Sequence, residues 1–202
     1  MRNVYILLAR TNTLYSRAIH AATGDPYTHS SLALDQRLSR MYSFARRWKP
    51  LPLVAGFVRE RLDQGIYGQN PNAPCLLLEV PLREDAYARV EAYTAALYAR
   101  RFRWHYNYLG VLANYFGKTH IAKRRYFCSE FVADALLRSG GLPFCTEALP
   151  FLDPAQVRPN MLARFPGAKP VYEGTLSGLW ERLHPWGESA RAYPCYTPQP
   201  QR

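Results

Sequence analysis

Hydrophobic and polar positions recur along the chain with two periods. A period of two, or a short continuous apolar run, indicates a β-strand, and a period near 3.6 indicates an amphipathic helix. Strands are therefore predicted over 4–9, 29–35, 40–45 and 75–82. Helices are predicted over 13–23, 84–101 and 108–116, and from Cys128 to the glycines at 140–141. Three stretches are less regular: 54–62 fits a short helix or a strand, 143–170 is irregular, and the chain from 171 adds a strand or a short helix.

The order of these elements favours an α+β fold. Strands and helices both occur, but without the regular alternation of a parallel α/β sheet. The ranges 29–35 and 40–45 flank a turn at Gln36 and Arg37, which predicts an antiparallel hairpin. No repeat or interdomain linker is evident, so we predict a single domain over 1–190 and a Pro-rich tail over 191–202.

Cys128 carries the clearest chemical signal because it opens an amphipathic helix. The apolar positions of this helix have helical spacing: Phe127, Phe131, Val132, Ala135 and Leu136. The unpaired N–H groups and positive dipole of a helix N-terminus favour thiolate over thiol, and they can also hold an oxyanion. The alternative is that Cys128 is a buried, inert thiol, as most intracellular cysteines are.

A thiol nucleophile needs a base, and histidine has the pKa suited to neutral pH. Of the five histidines, His29 stands out because it begins a strand on the face opposite Leu32 and Leu34. A tight turn between the hairpin strands would place Ser43 directly across from His29, about 5 Å away, where a hydroxyl can orient an imidazole. Asp35 and Glu60 stay open as alternatives for this third position.

A histidine at the start of a hairpin strand, a polar position in the next strand and a later Cys-Ser-Glu-Phe-Val at a helix N-terminus resemble the permuted papain-like hydrolases. These are the YiiX-type relatives of NlpC peptidases and of lecithin retinol acyltransferase. The resemblance spans about 4–162, including Pro159-Asn160-Met161-Leu162. It implies a circularly permuted papain-like fold, with Cys128 as nucleophile and His29 as general base. The third polar residue, often Glu in the family, falls near Ser43.

Composition limits the partners and the cofactors. The chain of 202 residues is 48% hydrophobic and has a formal net charge of +11, with basic residues gathered at 46–49, 100–103 and 118–125. No nucleic-acid-reading motif accompanies this charge, so specific nucleic-acid binding is not favoured. The four scattered cysteines have neither zinc-site nor disulfide-framework spacing, so we expect no cofactor and no metal. The apolar run at the start is too short for a signal peptide, and reduced thiols in the cytoplasm are the simpler expectation.

Three functions follow as hypotheses. The first is a cysteine hydrolase or acyltransferase acting on an amide or ester in a peptide or lipid, through an acyl-thioester on Cys128, with Tyr27 near the oxyanion. The second is a catalytically weak or inactive binding protein whose basic surface holds an acidic ligand, a lipid head group or nucleic acid. The third is lipid chemistry at a membrane surface without an integral span, motivated by the acyltransferase resemblance, by the charge and by the aromatics at 106–108, which we expect to be exposed. The oligomeric state stays open.

Overall fold

Eight β-strands and six α-helices form the described part of the protein in the computed structural model, which covers residues 1–12, 14–47, 54–141 and 145–185. The strands are β1 (Arg2–Ala9), β2 (His29–Ala33), β3 (Met41–Arg46), β4 (Ala55–Glu60), β5 (Pro74–Leu82), β6 (His105–Tyr106), β7 (Arg125–Tyr126) and β8 (Lys169–Thr175). The helices are α1 (Leu14–Thr23), α2 (Gly65–Gly68), α3 (Glu84–Ala99), α4 (Tyr108–Tyr115), α5 (Cys128–Ser139) and α6 (Leu176–Leu183). Short 3₁₀ helices cover Arg101–Arg103, Thr146–Phe151, Pro154–Gln156 and Pro159–Arg164.

All eight strands belong to one open sheet with the order β7-β6-β4-β3-β2-β1-β5-β8. Neighbouring strands are antiparallel, except for the short parallel pair of β6 and β7. The α+β prediction is therefore confirmed. Strand β2, which carries His29, lies near the middle of the sheet between β1 and β3.

Both faces of the central sheet are buried, which explains the continuous apolar run of β1. Val4, Ile6 and Leu8 pack on one face in a cluster that includes side chains of α3 and α5. The alternate residues of β1 pack on the other face, against Tyr67 of α2 and Trp180 of α6. The sheet is thus a buried platform, with α5 on one side and α2 on the other.

Helix α5 is held by a strip of fully buried apolar side chains. The Phe131 ring lies 5.1 Å from the Phe57 ring and 5.8 Å from the Phe44 ring, measured between centroids. Gly140 ends the helix with φ of 67°, a left-handed conformation that favours glycine. The predicted start and end of this helix are both confirmed. The packing of Phe131, one turn further along, holds Cys128 in position.

The β2–β3 hairpin has a different register from the predicted one. Leu32 pairs with Tyr42 and Ala33 with Met41, two residues away from the register that places Ser43 directly across from His29. The predicted tight turn is wrong because the Asp35 carboxylate accepts hydrogen bonds from the N–H groups of Ser39 and Arg40, and these bonds close a wider loop. Because strand side chains alternate with a period of two, the displacement leaves Ser43 on its predicted face.

The other predicted elements are present with a few boundary changes, whereas α2, β6 and β7 were not predicted from the sequence. The range 54–62 contains a strand, and the chain from 169 forms both a strand and a helix. The long helix ends at Ala99 and a 3₁₀ turn follows. Thr13 and the predicted tail at 191–202 lie outside the described residues. Among the helices that are described, none has both the length and the apolar character needed to cross a bilayer.

Candidate active site

Cys128 and His29 meet where α5 and β2 both begin. Both side chains are buried. Burial alone would raise the pKa of the Cys128 thiol, but a hydrogen bond with His29 and the charge of its ring lower that pKa. A hydrogen bond with the Ser30 backbone lowers the pKa of Cys128 further. The net pKa of Cys128 lies below that of an ordinary thiol, so the surroundings favour the thiolate.

Glu60, at the end of β4, is the second partner of His29. The His29 Nε2 atom lies 3.1 Å from Glu60 Oε1, which leaves Nδ1 as the ring nitrogen for Cys128. Burial alone would lower the pKa of His29, but the charge of Glu60 and the hydrogen bonds with Cys128 and Glu60 raise it to about 10. Burial would likewise raise the pKa of Glu60, but the imidazolium charge keeps it below its usual range. The site therefore favours thiolate, imidazolium and carboxylate together.

Hydroxyl groups fix the Glu60 carboxylate in place. Ser43 Oγ donates to Oε1 at 2.5 Å, and Ser31 Oγ donates to Oε2 at 3.2 Å. Ser31 Oγ also lies 2.7 Å from the Tyr67 hydroxyl. Because the one Ser31 proton points to Glu60, Tyr67 is the donor in this last hydrogen bond. Strands β2, β3 and β4 together with α2 thus supply one buried network behind the histidine.

The predicted third residue, Ser43, belongs to this network but does not lie opposite His29. It reaches the same Glu60 oxygen as the histidine, so Glu60 stands between them. Asp35, the other alternative, is occupied in the β2–β3 loop. Sequence reasoning missed Ser30, Ser31 and Tyr67. The alternation of β2 places Ser31 on the His29 face and was a usable signal, whereas no local pattern connects Tyr67 to this site.

Glu130 lies in the first turn of α5 and is also buried. Its carboxylate accepts the N–H of Phe127, which immediately precedes the helix, at 3.1 Å. Burial raises the pKa of Glu130 to about 7, although the Phe127 hydrogen bond acts in the opposite direction. This side chain therefore titrates near neutral pH within one helical turn of Cys128.

A narrow cleft opens beside Cys128. Its described lining consists of aromatic, aliphatic and neutral polar side chains with a single charged one: Thr28, Tyr106, Val111, Asn114, Tyr115, Phe127, Cys128, Ser129, Arg158 and Pro159. Tyr27 is buried and is not among the described residues that line this cleft. The expected oxyanion role of Tyr27 therefore has no geometric support, and the first N–H groups of α5 are the nearer donors.

Arg158 is the charged group of this cleft and is held at the edge. Its Nη1 atom lies 3.8 Å from Asp25 Oδ2, and Asn160 donates to Asp25 Oδ1 at 3.2 Å. The guanidinium carbon is 5.8 Å from the centre of the Tyr115 ring. The cleft thus combines an apolar wall with one partly exposed cation.

The fold and the site define an α+β protein in which a central sheet presents a buried His–Glu pair to a cysteine at a helix N-terminus. Comparison with protein-family models, with curated proteins and with solved structures gives no match to this chain.

Proposed function

We propose that this protein is a cysteine-dependent hydrolase or acyltransferase that acts on an amide or ester through an acyl-thioester on Cys128. The observation that carries the proposal is that His29 contacts both Cys128 and Glu60 and that all three side chains are buried. An inert buried cysteine needs no lowered pKa, whereas a nucleophile does. The cleft beside Cys128 is the side from which a substrate would reach the sulfur.

In the acylation step, the Cys128 thiolate attacks the carbonyl carbon of the substrate. The carbonyl oxygen becomes an oxyanion facing the N–H groups at the start of α5. When the oxyanion collapses, the bond to the leaving nitrogen or oxygen breaks, and the His29 imidazolium gives its proton to that leaving atom. The products of this step are a thioester on Cys128, a free amine or alcohol, and neutral His29.

Release of the acyl group uses the same residues in reverse. Neutral His29 takes a proton from water, or from an acceptor hydroxyl or amine, as that molecule attacks the thioester. The sulfur leaves as thiolate, and the imidazolium–thiolate pair is restored. Glu60 stays ionised throughout and stabilises the imidazolium, a role for which its buried contacts with Ser43 and Ser31 suit it.

We also propose that the domain has a circularly permuted papain-like arrangement. The chain order supports this proposal, because the strand with His29 precedes the helix with Cys128. The packing of α5 against an antiparallel sheet is in keeping with it.

The proposed function is tested with p-nitrophenyl acetate and the full chain carrying Cys145→Ser and Cys195→Ser. We expect a burst of nitrophenol release and one acetyl group on Cys128 by peptide mass mapping, because acylation precedes hydrolysis. Cys75 serves as an internal reference, since burial raises the pKa of that thiol to about 12. Cys128→Ala should abolish the burst. Acetylation of Cys128 no faster than that of a small free thiol would contradict an activated nucleophile.

A further inference from the structure

Helix α4 presents large apolar side chains to solvent. Leu109 and Leu112 of α4 and Phe116, which directly follows it, are 63%, 56% and 73% exposed, and their spacing of three and four residues places them on one side of the helix. Ile121, in the following loop, is 79% exposed. Scattered single apolar residues on a surface are ordinary, but a contiguous exposed set indicates an interaction site. We call these four residues the apolar stripe.

The loop after α4 returns along the helix. Its beginning is fixed at the end of α4, where the Lys118 N–H donates to the Ala113 carbonyl at 2.9 Å. Two residues later, the His120 carbonyl accepts from Asn107, the residue that caps the start of α4, also at 2.9 Å. The loop therefore spans the length of the helix and brings Ile121 to the end where Leu109 lies.

The sequence around the apolar stripe is basic and contains no acidic residue. From 92 to 129 there are seven Lys and Arg residues and neither Asp nor Glu. Four of the basic residues, Lys118, Lys123, Arg124 and Arg125, are exposed in or next to the returning loop. The nearby carboxylate of Asp153 hydrogen-bonds to Thr119 at 3.3 Å and compensates only part of this charge. The stripe thus has a basic rim.

The tyrosines that suggested a membrane surface from sequence are not part of this stripe. Tyr106 and Asn107 are buried and Tyr108 is half-buried, so the expectation that 106–108 is exposed was wrong. The inner side of α4 instead contributes Val111, Asn114 and Tyr115 to the cleft beside Cys128. One short helix therefore has the cleft on one side and the apolar stripe on the other.

We propose that the apolar stripe and its basic rim dock this protein on the surface of an anionic lipid bilayer. Leucine, isoleucine and phenylalanine can enter the boundary between head groups and acyl chains, and Lys and Arg are attracted to anionic head groups. A nucleic acid would match the basic rim but leave the aliphatic side chains without partners. The proposal does not depend on the chemistry of Cys128.

The test is cosedimentation of the full chain with phosphatidylcholine vesicles that contain either no phosphatidylserine or about 30%, the range in which anionic lipids set the surface potential. We expect binding to the anionic vesicles that weakens with salt. The double variant Phe116→Ala/Ile121→Ala should lose at least about tenfold in affinity, because two exposed side chains no longer enter the bilayer. Lys123→Gln/Arg124→Gln should lose about 10- to 30-fold. Circular dichroism checks that each variant is folded.

The matched control is Arg37→Gln/Lys169→Gln, which removes the same charge from exposed residues of the β2–β3 loop and of β8. Its affinity should change less than about twofold, since charges far from the bilayer are screened. Equal losses in both charge variants would mean that net charge alone drives adsorption, and they would overturn the proposed surface. Absence of preferential binding to anionic vesicles would overturn it too. So would a dimer, seen by sedimentation, that Phe116→Ala/Ile121→Ala dissociates, because a second copy would then cover the stripe.

Discussion

Replacing Glu60 by glutamine removes one negative charge from the candidate site and changes little else. The amide keeps the size of the side chain, and its carbonyl oxygen can still accept from His29 and Ser43, as Glu60 Oε1 does. The amide N–H can donate to Ser31, whose hydroxyl accepts as readily as it donates. The imidazolium of His29, however, loses its counter-charge. We expect the pKa of His29 to fall and the pKa of Cys128 to rise.

The size of the effect follows from the 3.1 Å separation of His29 Nε2 and Glu60 Oε1. At an effective dielectric constant of about 20, two unit charges at that distance attract by about 5 kcal/mol. Burial opposes part of this stabilisation, and an opposite charge at such range shifts a pKa by about 1–3 units. We therefore expect the pKa of His29 to drop by about 2 units, which makes the imidazolium–thiolate pair about 100-fold less favourable relative to the neutral imidazole–thiol pair.

The assay is the rate of Cys128 alkylation by iodoacetamide between pH 4 and 10, followed by mass spectrometry in the Cys145→Ser/Cys195→Ser background. The wild-type chain should react well below the usual thiol pKa of about 8.5. The Glu60→Gln variant should react at least about tenfold more slowly near pH 6–7 and recover as the pH rises through the range of a free thiol. Glu79→Gln is the matched control, because Glu79 lies on β5 and hydrogen-bonds to Tyr5.

Two results would refute this reasoning. A folded Glu60→Gln variant with the wild-type pH profile would mean that Glu60 does not hold the charge on His29. A wild-type profile with the midpoint of a free thiol would show that the site holds no imidazolium–thiolate pair. Thermal melts of both variants separate these outcomes from simple unfolding.

Three further predictions concern single side chains. Glu130→Gln should remove a pH dependence of stability. Burial raises the pKa of Glu130 in the folded protein to about 7 from an ordinary 4.5, so the wild type loses about 3 kcal/mol of unfolding free energy as the pH rises through that interval. Thermal melts of the two chains compared across this pH range should show the loss in the wild type alone. Ser43→Ala deletes one hydrogen bond to the Glu60 carboxylate, worth about 1.5–3 kcal/mol, and should slow Cys128 alkylation at pH 7 less than Glu60→Gln does. Phe131→Ala should cost about 3–5 kcal/mol in urea unfolding because the ring is fully buried, whereas Phe116→Ala, with an exposed ring, should cost less than about 0.5 kcal/mol.

Local patterns were sufficient for the elements that carry the two principal residues. Helix α5 shows its apolar spacing and its glycine stop in the sequence, and β2 shows its alternation, so Cys128 and His29 could be placed before the structure. Position 60 could be named only as an alternative, because the range 54–62 fits a helix as well as a strand and only pairing with β3 decides between them.

The hairpin register and the residues behind His29 depend on contacts that are distant in sequence. The Asp35 carboxylate widens the β2–β3 loop, and no apolar pattern encodes that hydrogen bonding. Tyr67 reaches Ser31 from a four-residue helix whose position is set by packing on the far face of the sheet. Such pairings depend on the folded sheet as a whole, and a single sequence holds no periodic signal for them.

The chain order of the site residues has a consequence for how reactivity arises. Strands β2 and β4, with His29 and Glu60, precede α5 in the chain, and the sheet partners β1, β3 and β5 precede it as well. The charged pair can form as soon as these strands fold, whereas Cys128 has the reactivity of an ordinary thiol until α5 docks on them. Alkylation of Cys128 at acid pH therefore reports that α5 has docked on the sheet.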